Sequence, residues 1–138
     1  LVYAFWIGLA SALLLATPLS AQIISTGTPA ADILLFQAIA EHRIFLTCNA
    51  LDPIGHPVMV ERWATDVAAA RAVLAANSVP PEAIAAFADA ARPEALLPTE
   101  DLAFAEVRRS CLAQADWPAR YARGDFIRLE QRLPGAFP

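Results

Sequence analysis

The sequence predicts an all-α fold, a small bundle of four to five helices, and three observations carry that prediction. Alanine is abundant throughout the chain beyond residue 21, and alanine is the best helix former because it loses no side-chain entropy in a helix. The β-branched residues are scattered, without the period-two runs that mark half-buried strands. Glycine is nearly absent between Gly55 and Gly124, so little in that stretch favours tight turns.

The first segment differs from the rest. Residues 1–16 read LVYAFWIGLASALLLA, and no charged residue precedes Asp32. The run ends at Thr17-Pro18-Leu19-Ser20-Ala21, where a helix-breaking proline and small residues follow a short apolar core. That is the pattern of a secretory signal peptide cleaved after Ala21. Two alternatives stand beside it. An uncleaved membrane anchor needs about 20 apolar residues, and Pro18 interrupts the run before that. A buried core helix is the other. The expected organisation is a signal peptide, or an uncleaved anchor, over residues 1–21 and a single helical domain over 22–138. The expected location is periplasmic or secreted, and contact with a membrane is expected only if residues 1–21 are retained.

The helices follow in order. Thr28-Pro29 reads as a helix start, with Thr as N-cap and Pro at the first helical position. Ile33, Phe36, Ala40, Ile44 and Cys48 then recur at helical spacing and predict the buried stripe. Residues 49–57 hold two prolines and a glycine and predict a loop. A second helix is expected from near Pro57 to Asn77-Ser78, burying Val60, Trp63, Val67 and Leu74, with Arg62 and Asp66 paired on its exposed face. Pro80-Pro81-Glu82 opens a short third helix carrying Ile84, Phe87 and Ala91. Pro93 and Pro98 bracket a linker. Thr99 predicts the cap of a fourth helix, with Glu100 and Asp101 in a first turn that favours acids, and with Phe104, Val107 and Cys111 as its stripe. Asp116-Trp117-Pro118 predicts a last helix to about Leu133, bent or interrupted at Gly124. Residues 134–138 read as a loose tail. Trp63, Phe36, Phe45, Phe87, Phe104, Trp117, Tyr121 and Phe126 are read as core aromatics.

Composition excludes several classes. With 57% apolar and 17% charged residues the chain is not of the disordered type. A net charge of −4 argues against a nucleic-acid partner, which calls for a basic footprint. All ten basic residues are Arg, which removes Schiff-base and P-loop lysine chemistry. The sequence contains no C-x-x-C, C-x-x-C-H, H-E-x-x-H, G-x-S-x-G, G-x-G-x-x-G or EF-hand loop.

The remaining chemistry is sparse. A Cys–His catalytic site with His42 or His56 would need a free thiol, which export opposes. His42, Cys48, His56 and Met59 are of types that suit a soft metal such as copper. Their spacing fits no metal motif, and His42 is expected to be an exposed helical residue, so no metal, no other cofactor and no catalytic residue is assigned. Glu100, Asp101 and Glu106 are acids at a helix start. Arg123-Gly124-Asp125, a tripeptide that integrins can read, falls within the expected last helix and is given no weight.

The two cysteines carry the sharpest expectation. They are the only two in the chain, an exported chain permits oxidation, and each lies on the apolar stripe of its expected helix. A Cys48–Cys111 disulfide would close a loop of about 60 residues and contribute on the order of 4 kcal/mol.

The layout resembles an uncharacterised family of small exported bacterial proteins with two cysteines. It does so through Ile44-Phe45-Leu46-Thr47-Cys48, Arg108-Arg109-Ser110-Cys111-Leu112 and the capped start Val79-Pro80-Pro81-Glu82-Ala83-Ile84, across about residues 33–130. That resemblance implies export and a helical fold, without an activity. The expected function is a non-catalytic exported protein that acts through contact with another envelope protein. The alternatives are a membrane-anchored accessory subunit of an envelope complex and a soft-metal binding protein.

Overall fold

The computed structural model describes residues 24–98 and 103–138, and among these there are seven α-helices and no strand. In chain order they are α1 (Pro29–Cys48), α2 (Gly55–Ala76), α3 (Pro81–Ala90), α4 (Pro93–Leu96), α5 (Phe104–Ala113), α6 (Trp117–Ala122) and α7 (Leu129–Arg132), closed by a 3₁₀ turn over Pro134–Ala136. The 1–21 segment and the expected Thr99 cap with Glu100 and Asp101 lie outside the described residues. No described helix is long and apolar enough to cross a membrane.

Helix α1 is the hub: it packs against α2, α4, α5, α6 and α7, while α2 also packs against α3 and α7. The buried face of α1 is not the expected one. Ala31, Leu34, Leu35, Ala38, Ile39, His42, Phe45 and Leu46 are buried, whereas Ile33 and Phe36 are 58% and 67% exposed. Residues 33–36 and 44–46 place apolar side chains around most of the circumference, so helical spacing alone admits two stripes. Among the described residues the second stripe is covered only near its C-terminal end, where Ile44 and Cys48 are half-buried beside Leu96, Leu97 and Val107.

The helix ends have local causes, though not always the expected ones. Pro29 does begin α1, but Thr28 makes no side-chain cap. Instead Asp32 Oδ1 accepts from the Thr26 backbone N–H at 2.8 Å and from its hydroxyl at 2.6 Å. Helix α2 begins at Gly55, two residues before Pro57, because Asp52 Oδ1 accepts the N–H groups of Ile54 and Gly55, both at 3.0 Å. Pro57 in the first turn costs no helical hydrogen bond. A Cβ on Gly55 would run into the Asp52 carboxylate, so the close approach favours glycine there. At the other end, the Ser78 N–H donates to Ala75 O and the Val79 N–H to Leu74 O, both at 3.1 Å. This paired C-terminal motif places Ser78 at φ +58° and brings buried Val79 against buried Leu74.

The Pro93–Pro98 linker forms a short helix, because Pro93 occupies its first position and Leu96 is buried against α1. Helix α5 buries none of its residues, and Phe104 is 68% exposed, contrary to its expected stripe. The expected last helix is two: α6 ends at Ala122, two residues before Gly124, whose φ of +68° breaks the helix, and α7 begins at Leu129. Asp116 makes no side-chain cap for α6. The tail is packed, with Leu133 buried and Ala136 and Phe137 against the core. The core itself centres on Trp63, Phe45, Phe87, Leu35, Leu46, Leu74, Leu96, Leu129 and Leu133.

Candidate functional site

Cys48 and Cys111 form the expected disulfide, with Cα atoms 5.6 Å apart. Both are half-buried rather than central. The bridge therefore pins α5 to the end of α1, on the side away from the main core, and Cys48 holds no free thiolate for catalysis or metal binding.

The histidines separate. His42, expected to be exposed, is only 5% exposed. Its ring stacks on Trp63 at 4.1 Å and 21°, and meets the edges of Phe45 and Phe126 at 5.5 and 5.4 Å. Its Nδ1 hydrogen-bonds the Ala38 carbonyl at 2.9 Å. A carbonyl only accepts, so Nδ1 carries the proton and Nε2 is the acceptor in the neutral ring. Burial holds the pKa below the ordinary 6.5, against the opposing pull of the Ala38 bond, Asp66 and Glu41. His56 sits instead in the first turn of α2, its Nδ1 enclosed without a partner among the described residues, and Met59 is buried in the core. Among the described residues no three of His, Cys, Asp and Glu converge as metal ligands.

His42 lines an open cleft of about 610 Å³ between α2 and the 121–130 segment. Tyr121 and Phe126 line one side of it, stacked on each other 5.1 Å apart at 7°. Arg62 lies over Tyr121, with its guanidinium carbon 6.0 Å from the ring centroid. Glu61, Asp66, Arg123, Arg128 and Glu130 complete the charged surround.

Two carboxylates build this cleft by capturing backbone from a distant part of the chain. Glu41 on α1 accepts from Arg120 Nη2 at 3.0 Å and from the Ile127 N–H at 2.8 Å. Asp66 on α2 accepts from the N–H groups of Leu129 and Glu130 at 2.8 and 2.9 Å, and so caps α7. Asp66 is thus not the partner of Arg62. Trp63 Nε1 donates to the Ala91 carbonyl at 2.6 Å and fixes the ring on which His42 rests. Helical spacing could place Asp66 on α2, but its partners lie 63 and 64 residues away. Glu41 and Tyr121 carry no sequence signal as site residues beyond their types.

Two exposed features complete the surface. The outward side of the first three turns of α1 presents Pro29, Ala30, Ile33, Phe36, Gln37 and Ala40, all exposed and all uncharged. The Arg123-Gly124-Asp125 tripeptide lies in the exposed turn after α6, not in a helix, with Arg123 3.8 Å from Asp125.

The chain matches no protein-family model, no curated protein and no solved structure.

Proposed function

We propose that this is an exported, non-catalytic helical protein that binds an uncharged apolar helix of another envelope protein through the outward face of α1. That face is the observation that carries the proposal. Ile33 and Phe36 project at 58% and 67% exposure from a stretch, residues 33–40, that contains no charge. Large Ile33 and Phe36 are flanked by small Ala30 and Ala40, the relief into which the ridges of a second helix pack. A face without charges offers nothing to pair a partner's charge, which selects an apolar strip. Export is supported by the disulfide, which persists in oxidising compartments, by the charge-free 1–16 run ending before Pro18, and by the layout resemblance to exported two-cysteine proteins.

The test is a photo-crosslinking residue at position 36 in living cells, with position 71 on α2, also exposed, as the control. The expected result is an adduct with one envelope protein from position 36 alone, abolished by Ile33→Glu while the circular dichroism is unchanged. Equal adducts from both positions, or an adduct indifferent to Ile33→Glu, would overturn it. The N-terminal mass separates a processed chain starting at Gln22 from the membrane-anchored accessory subunit that retains residues 1–21.

A further inference from the structure

We propose that the His42 cleft binds a small aromatic monoanion bearing a hydrogen-bond donor, with hydroxylated aromatic carboxylates as the chemical class. The site is separate from the α1 face and does not depend on it.

Size comes first: about 610 Å³ lies within the usual range for small-molecule sites, roughly 300–1,000 Å³. Shape follows from the wall. Tyr121 and Phe126 stack on each other at 5.1 Å and 7°, and Arg62 lies over Tyr121, so the pair offers ring edges to the cleft, and a planar aromatic ring meets such edges with its face.

The floor sets the first polar requirement. His42 is 95% buried and rigidly held, by Trp63 on its face and by Ala38 O on Nδ1. Nε2 is therefore the ring nitrogen left for whatever enters, and it makes no hydrogen bond to a described residue. A neutral imidazole presents a lone pair there, so the matching ligand group is a hydroxyl or ring N–H. Neither fixed contact requires the ring to move, so the acceptor is preorganised.

Charge bookkeeping around the cleft sets the second requirement. Arg128 pairs with Glu130 at 3.2 Å, and Arg123 pairs with Asp125. Both Asp66 oxygens are taken by backbone N–H groups. Arg62 has no described carboxylate within 4.0 Å, and it already lies over the aromatic wall. A carboxylate on the ligand ring would give this guanidinium a planar partner. Glu61 at the same rim weighs against a second negative charge, which limits the ligand to a monoanion.

The test uses the full, disulfide-intact chain with ¹⁵N-labelled histidine, titrated with 4-hydroxybenzoate at mildly alkaline pH. The expected result is a saturable shift of the His42 Nε2 resonance at millimolar ligand or below. Benzoate, which lacks the donor, and phenol, which lacks the anion, should each bind about tenfold more weakly, as should the Arg62→Gln variant. Arg62 is exposed, so this variant leaves the core intact, and Arg71→Gln should change nothing. The absence of a saturable shift at millimolar 4-hydroxybenzoate would overturn the proposal. Equal binding of 4-hydroxybenzoate, benzoate and phenol, or an unchanged affinity in Arg62→Gln, would do the same.

Discussion

Opening the Cys48–Cys111 bridge, by reduction or by the paired substitution Cys48→Ser and Cys111→Ser, should lower stability by about 2–4 kcal/mol. The upper figure follows from the loop. The cysteines are 63 residues apart, and closing a loop of that length removes about 4 kcal/mol of unfolded-chain entropy at 25 °C. The lower figure follows from α5. That helix contributes no buried residue, and Phe104 and Leu112 are 68% and 64% exposed, so the bridge is its main tie to α1. Once the bridge is cut, α5 undocks, and the native chain regains part of the freedom that the unfolded chain also gains. Urea unfolding followed by circular dichroism, with and without reductant, measures the difference. Hydrogen exchange tests the mechanism: amides of residues 104–113 should lose protection in the reduced protein while those of α1 keep theirs. Equal urea midpoints would refute the loop calculation, and full α5 protection after reduction would refute its dependence on the bridge.

Replacing Asp66 with Ala removes both acceptors for the Leu129 and Glu130 N–H groups and should cost about 1–3 kcal/mol in urea unfolding, with faster amide exchange over α7; unchanged exchange there would show that buried Leu129 and Leu133 hold α7 unaided. Stability should also fall as pH drops below 6.5, because burial keeps the His42 pKa low while the unfolded histidine takes up a proton. The slope is at most about 1.4 kcal/mol per pH unit, it ends where folded His42 itself protonates, and stability is fully present above 6.5. His42→Phe should flatten this region of the stability profile. A slope that survives it belongs to another group, though not to Asp52: its pKa is lowered by the Gly55 and Ile54 N–H groups, so its contribution is lost only at pH below 3.8.

The helical class, several helix ends and the disulfide were legible in the amino-acid order. These are local or combinatorial matters: Pro29 and Pro81 preset φ for a first helical turn, Gly124 admits the positive φ that breaks a helix, and two cysteines have one way to pair within a chain. Which stripe of α1 is buried was not legible there and follows from packing against the other helices. Spacing identifies a helix face only when the opposite face is polar, and α1 carries apolar residues on both. The cleft was equally out of reach. His42 is ordinary in its helix until Trp63, Phe45 and Phe126 close around it. Glu41 and Asp66 look like surface acids until segments 63 to 86 residues away bring backbone N–H groups to them. Local pattern reports propensity and facing, but a polar side chain takes its role from the partner that folding delivers, and at such separations no periodicity in the chain records which partner that is.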